Sequence, residues 1–262
     1  MRPVGWLRFA GFGLGCALLC LAVASMAPCV ALDGRVAFAF AYVAVSAEIL
    51  GLACLAPRRP RIMVAFLIVS GLVSLFALAQ VRATPWSAAA LTLALGAGVT
   101  LLGGAIGAAI ERPAHLAAVG LVSAIADLWS VFDPGAPSAK LAAKALAEPE
   151  RLSPFALPFP MLGTPLIPAV IGAGDVLFVA LYVAAFRVHG LPTRRLLAAL
   201  GLAFGLGLAV LLVSLRPIPL LPLLAAAVLA CEPATRALER REWRTVLAVC
   251  AVMLAAIAFR SL

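Results

Sequence analysis

Long runs of apolar residues alternate with short polar connections along the chain. Most runs last about twenty residues, the length that an α-helix needs to cross the hydrocarbon core of a bilayer. Strands of a membrane barrel would instead alternate apolar and polar side chains, and that alternation is missing here. The pattern predicts about nine helical spans, at 11–32, 36–56, 62–81, 88–110, 114–133, 166–187, 195–215, 217–231 and 245–260.

The composition supports the same fold class, an all-α polytopic transmembrane helix bundle. Hydrophobic residues make up 65% of the chain and charged residues only 12%, too few to cover a soluble domain with a polar exterior. In lipid the backbone must satisfy its own hydrogen bonds, which a helix does within one segment. The first run follows Arg2 and Arg8 as a secretory signal would, but its length and the closely following second span favour a retained helix.

The net charge of +9 predicts an orientation rather than a nucleic-acid partner. The cations lie in short clusters between spans, such as Arg58, Arg59 and Arg61, which is typical of loops facing anionic lipid. Thirteen of the 20 Lys and Arg residues fall on the side that holds the N-terminus. We therefore expect an integral membrane protein with a cytoplasmic N-terminus, in the inner membrane if the cell is bacterial.

One connection, 134–165, is much longer than the others and contains many prolines and several charges. Loops of this length inside a compact unit are usually functional or disordered, and the charge count predicts that this one is non-cytoplasmic. The predicted organisation is N-terminal transmembrane helices in 1–113, a catalytic transmembrane core in 114–232 and an additional C-terminal transmembrane segment in 233–262. The long loop lies within the core.

Three acidic residues fall well inside predicted spans: Glu48, Asp127 and Asp175. A carboxylate in the bilayer is costly and is a functional hypothesis by default. The helical rise places Asp127 ~9 Å and Asp175 ~13 Å from the long-loop ends of their spans, so we expect the two at similar depth on antiparallel helices. They form either a catalytic pair or polar contacts that hold helices together, whereas Glu48 is interpreted as structural.

Two carboxyls sharing a low-dielectric site cannot both ionise easily, so one keeps a proton. Aspartic proteases use this asymmetry, with one Asp as base on water and the other as acid toward the carbonyl. Such chemistry needs no metal or cofactor, and the sequence predicts neither. The cysteines form no CxxC pair, His115 and His189 belong to no HExxH, and GxSxG is missing.

The sequence around the aspartates contains three ordered motifs. Asp127 lies in Ser123–Val131 and is followed by Asp133-Pro-Gly-Ala-Pro137; Asp175 ends the GxGD of Gly172-Ala-Gly-Asp175; Pro219-Leu-Leu-Pro222 comes after the next span. This set resembles the presenilin and signal peptide peptidase family of intramembrane aspartyl proteases. The likeness covers about 114–231.

The chain departs from the family pattern at several points. Leu220 replaces an alanine in the proline motif, and Ala126 stands where a tyrosine is usual. Four spans precede the first aspartate rather than five, and the span 245–260 is additional.

The resemblance implies a presenilin-like arrangement with Asp127 and Asp175 as the catalytic pair. The residues that would support the site are Gly172, Gly174, Pro219, Leu220, Leu221 and Pro222. Its implied substrates are single-span membrane proteins or signal peptides in the lipid bilayer, with or without accessory subunits. Prolines 217, 219 and 222 also predict an extended segment rather than a regular helix.

Other functions fit the same aspartates. A prepilin-type peptidase also carries GxGD, but its motif is commonly followed closely by lysine, and Val176, Leu177 and Phe178 follow here. A transporter or proton pathway could relay protons through Asp127 and Asp175, although no inverted repeat supports it. A non-catalytic membrane scaffold is the third alternative.

Overall fold

The computed structural model describes residues 4–30, 32–57, 60–78, 83–133, 135–136, 139–140, 143, 147–148, 151–214 and 218–260. Helices dominate this part of the chain. The α-helices described are α1 Val4–Met26, α2 Gly34–Leu55, α3 Pro60–Leu78, α4 Pro85–Ala108, α5 His115–Phe132, α6 Ala173–Val188, α7 Thr193–Ser214, α8 Leu221–Cys231 and α9 Arg240–Arg260. Short 3-10 turns follow α1 and α8, at Ala27–Cys29 and Pro233–Arg236.

The protein is an integral membrane protein built as a helical bundle. In the described residues, five helical segments are long and apolar enough to cross a membrane: Gly5–Met26, Gly34–Leu55, Pro85–Ala108, His115–Phe132 and Thr193–Ser214. Two shorter apolar segments are Phe66–Ala77 and Leu221–Cys231. Most helix bounds agree with the predicted spans to within a few residues. The total of nine spans stays a prediction.

The prediction of a span over 166–187 is wrong at its beginning. Strand β1, Ala156–Pro158, pairs antiparallel with strand β2, Ala169–Gly172, and α6 begins only at Ala173. The prediction failed because a short apolar run is compatible with either a strand or a helix. The expected position of Asp175 is wrong for the same reason: it lies ~3 Å along its helix, in the first turn, rather than ~13 Å.

The chain folds as two compact units. The first comprises Met1–Gly107 and Lys144–Ala184, and the second comprises Ala108–Ala143 and Ala185–Leu262.

Glycines on α4 allow close packing against α6 within the first unit. A Cβ at Gly103 would lie 2.2 Å from the Leu177 carbonyl oxygen, and one at Gly107 would lie 2.1 Å from that of Leu181. No side chain fits at these distances, so the two helix backbones can approach only because these positions are glycine. This contact fixes the helix that carries the GxGD motif.

The hairpin of β1 and β2 is attached to the first unit at two places. The Thr92 hydroxyl of α4 donates to the Pro158 carbonyl at 2.7 Å. At the hairpin tip, the Gly163 N–H donates to the Ala27 carbonyl at 3.0 Å. Gly163 has φ +82°, and a Cβ there would lie 3.0 Å from the Val30 carbonyl oxygen, so this contact needs glycine. The hairpin therefore lies at the end of α1 that leads into α2.

In the second unit, α5 packs against α8 and α9, and α7 packs against α8. Glu242 lies in the first turn of α9 and caps the helix as in a capping box, because its carboxylate accepts the Glu239 N–H at 2.7 Å. That hydrogen bond lowers the pKa of Glu242 below its usual range. Arg112, before α5, donates to Glu242 at 2.9 Å, and His115 lies 3.5 Å from the same carboxylate. These charges connect the beginnings of α5 and α9.

Candidate active site

The first candidate aspartate, Asp127, lies five residues before the end of α5 and is half-buried. Its Oδ2 accepts the Leu221 N–H at 2.9 Å. Leu221 belongs to the proline motif and lies 94 residues further along the chain than Asp127. The structure therefore brings the first aspartate and the proline motif together within the second unit.

The beginning of α8 explains why this donor is available. The first N–H groups of a helix have no partner inside it, and the helix dipole adds positive potential there. Leu221 begins α8 and Pro222 occupies its second position, where a missing N–H costs nothing. A carboxylate at this end is favourable both as an acceptor and as a charge.

The expectation that residues 217–222 stay extended is therefore wrong for the second half of the motif. Leu220 already has helical dihedral angles, with φ −89° and ψ −30°, because proline near a helix N-terminus is compatible with the helix. Residues 218–219 have no regular secondary structure. Pro217 lies outside the described residues, as do Pro134 and Pro137 of the long loop.

The second candidate aspartate, Asp175, lies in the first turn of α6 and is half-buried. An acidic side chain there is stabilised by the helix dipole. A Cβ at Gly172 would lie 3.2 Å from Asp175 Oδ2, whereas a Cβ at Gly174 would have no atom within 4 Å. Gly172 therefore permits close approach of the carboxylate to the end of β2, and Gly174 leaves an open surface beside the aspartate.

Sequence reasoning missed Tyr42 as a neighbour of Asp175. Tyr42 lies on α2, is 5% exposed and interacts electrostatically with Asp175. The available signal was its rarity, since the chain has only two tyrosines and this one interrupts an apolar span. A buried tyrosine hydroxyl usually finds a polar partner.

The two aspartates belong to different units, Asp127 to the second and Asp175 to the first. Within the units the structure joins Asp127 with Leu221, and Gly172 with Asp175. The pairing of the two carboxyls stays a prediction.

An apolar cleft of about 530 Å³ lies between α5 and α9. Its lining residues are Ile125, Leu128, Trp129, Phe132, Asp133, Leu254 and Ile257. At 100° per residue, those on α5 lie on the face opposite Asp127, so this cleft is not part of the candidate site.

The histidines have contacts typical of helix ends. His189, just after α6, has its Nε2 2.9 Å from the Ile110 carbonyl oxygen, and His115 belongs to the charge cluster with Glu242. In the part of the chain that the structure describes, no group of three His, Cys, Asp or Glu side chains is arranged to hold a metal ion.

In comparisons with known proteins, no protein-family model, no curated protein and no solved structure matches this chain.

Proposed function

We propose that this chain is an intramembrane aspartyl protease with a presenilin-like arrangement, in which Asp127 and Asp175 form the catalytic pair. One observation supports it above the others: the Asp127 carboxylate accepts a hydrogen bond from Leu221 of the proline motif at 2.9 Å. Sequence resemblance alone linked these two motifs, and polar contacts chosen only to hold helices together would not need to join them.

The proposed reaction is hydrolysis of a peptide bond inside a membrane-spanning substrate. The ionised aspartate removes a proton from water, and the oxygen of that water bonds to the carbonyl carbon. The protonated aspartate donates its proton to the carbonyl oxygen. Collapse of the tetrahedral intermediate breaks the C–N bond. The aspartate that donated its proton takes a proton from one hydroxyl of the intermediate, and the amine leaves with the proton that the other aspartate took from water, so the pair returns to its singly protonated state. The products are a carboxylic acid and an amine, and no metal or cofactor takes part.

The substrate must unwind before attack, because a helix hides its carbonyls in hydrogen bonds. Two segments beside the aspartates offer backbone groups to an unwound strand: the β1–β2 hairpin, which ends two residues before Gly174, and residues 218–219 before α8. An extended peptide can add to such an edge as a further strand. Gly172 and Gly174 leave room for its backbone near Asp175.

The proposed substrates are single-span membrane proteins or signal peptides that reach the site through the lipid bilayer. With the N-terminus in the cytoplasm and the 134–165 loop outside, as the distribution of Lys and Arg predicts, the orientation resembles that of signal peptide peptidase. Substrates with cytoplasmic N-termini fit this orientation.

The test is cleavage by the purified, lipid-reconstituted protein of a panel of single-span peptides, with products identified by mass spectrometry. We expect internal cleavage by the wild type and a loss on the order of 10³-fold or more in Asp127→Asn and Asp175→Asn, as for removal of one member of a catalytic unit. The double variant should be no worse than either single variant, because residues acting as one unit are non-additive. Substantial cleavage by either single variant would exclude the pair. An inactive panel together with aspartate-dependent proton movement across the liposome membrane would favour the proton-pathway alternative.

A further inference from the structure

Three connections meet at the end of the second unit where α5 begins. His189, between α6 and α7, has its Nε2 2.9 Å from the carbonyl oxygen of Ile110, which precedes α5. Arg112, also before α5, contacts Glu239 at 3.3 Å and Glu242 at 2.9 Å. Glu239 and Glu242 lie at the beginning of α9, and α7 begins four residues after His189. These contacts place the beginnings of α5, α7 and α9 together.

This end of the second unit carries six exposed arginines. Two lie in the first turn of α7, one in the 3-10 turn after α8 and three in the first five residues of α9. None of them forms an ion pair with another residue that the structure describes. They are called the arginine surface and comprise Arg194, Arg195, Arg236, Arg240, Arg241 and Arg244.

The acids at this end do not neutralise the arginine surface. Glu239 and Glu242 already bind Arg112, and Glu232 caps the 3-10 turn that follows α8. Glu111, before α5, is exposed and forms no ion pair with a described residue. Cations grouped in this way produce a positive potential that attracts anions. The arginine surface is therefore suited to an anionic partner.

The position of the arginine surface relative to the membrane decides the chemistry of that anion. Helix α7, which carries two of the arginines in its first turn, is long and apolar enough to cross a membrane, and α9 becomes apolar from Val246 onward. Trp243 is half-buried beside this boundary, and tryptophan is enriched at the level of the lipid headgroups. Phosphate is the anionic group at that level, and a guanidinium can donate two parallel hydrogen bonds to it.

We propose that the arginine surface binds the phosphate groups of anionic lipids in the surrounding bilayer. Retention of cations on one side of a membrane requires no bound lipid, so this binding is a separate property from the orientation. It is also independent of the proposed protease activity, and its test needs no substrate.

The experiment is native mass spectrometry of the full-length protein in detergent, titrated with phosphatidylglycerol or with phosphatidylcholine of the same acyl chains. We expect a lower Kd for phosphatidylglycerol, because only this lipid has a net negative charge. Arg240→Gln combined with Arg241→Gln should raise that Kd about fivefold for each arginine removed, and replacement of all six arginines with glutamine should abolish the preference. Arg35→Gln combined with Lys140→Gln removes two exposed cations outside the arginine surface. This matched control should leave both Kd values unchanged.

Three results would overturn the proposal. Equal Kd values of the wild type for the two lipids would assign the arginine surface to an anion that is not a lipid, such as an acidic protein segment. An equal rise of the phosphatidylglycerol Kd in the control variant would mean a general effect of net charge. Loss of phosphatidylglycerol binding when inorganic phosphate replaces chloride at equal ionic strength would mean that the surface binds free phosphate. Circular dichroism of each variant checks that the helices are retained.

Discussion

Asp127 has a structural contact as well as its proposed chemical role, and the two can be separated by substitution. Its carboxylate accepts the Leu221 N–H at the beginning of α8. Asparagine keeps an acceptor oxygen of the same shape but cannot exchange a proton, whereas alanine removes both properties. The pair of variants therefore distinguishes loss of a cap from loss of chemistry.

We expect Asp127→Asn to unfold at nearly the wild-type temperature in detergent and to cleave no substrate. Asp127→Ala should also be inactive and should lose about 1–2 kcal/mol of stability, the range for removing an acceptor from a helix N-terminus. Thermal unfolding followed by circular dichroism and the peptide cleavage assay provide the two measurements. Cleavage by Asp127→Asn would mean that Asp127 only caps α8 and has no catalytic role.

A pair of carboxyls that shares a proton also predicts a specific pH dependence. Only the singly protonated pair is active, so the rate should fall at low pH, where both carboxyls are protonated, and at high pH, where both are ionised. The measurement is the cleavage rate of one peptide over the pH range in which circular dichroism is constant. A flat profile over that range would contradict a shared proton.

At the scale of elements, packing of α4 against α6 should control the position of Asp175. A Cβ at Gly103 would lie 2.2 Å from the Leu177 carbonyl oxygen, two residues after Asp175, whereas one at Gly104 would meet no atom within 4 Å. Gly103→Ala should displace α6, cost about 1–3 kcal/mol by overpacking and reduce cleavage. Gly104→Ala adds the same methyl group and should leave stability and cleavage close to wild type. Equal behaviour of the two variants in both assays would contradict this role.

The proline motif makes a second prediction at this scale. Pro219 and Pro222 limit α8 at its beginning, and this leaves the Leu221 N–H group free to donate to Asp127. Replacing both prolines with alanine would let α8 extend backward, and a helical carbonyl would then accept this N–H group. We expect normal expression and thermal stability with sharply reduced cleavage. Near wild-type turnover would mean that the proline motif is not part of the active site.

At the scale of the whole molecule, the testable feature is the orientation in the membrane. The hairpin tip contacts Ala27 in the connection from α1 to α2, and Cys29 in the same connection is exposed. If the N-terminus is cytoplasmic, Cys29 should react with an impermeant thiol reagent added to intact cells. A cysteine at Ala139 in a Cys29→Ser background should react in the same way. Labelling only after permeabilisation would mean that the protein has the opposite orientation, and that substrates enter in the opposite direction.

The membrane class and most helix bounds were predictable because an apolar run of about twenty residues has one stable solution in lipid. The hairpin was not, because the apolar residues 169–172 fit a strand as well as a helix until their partner strand at 156–158 is known. The helical beginning of α8 was also mispredicted, since proline interrupts a helix interior but is compatible with its first turn.

The candidate site, likewise, could be predicted only in part from the sequence. From the chain alone it follows that Asp127 and Asp175 are costly in a membrane and adjoin recognisable motifs. The folded structure was needed to show that Leu221 donates to Asp127, that Tyr42 interacts electrostatically with Asp175 and that α4 presents glycines to α6. Composition and periodicity act on each segment alone, whereas these contacts join residues far apart in the chain, and their free energies depend on which helix faces meet.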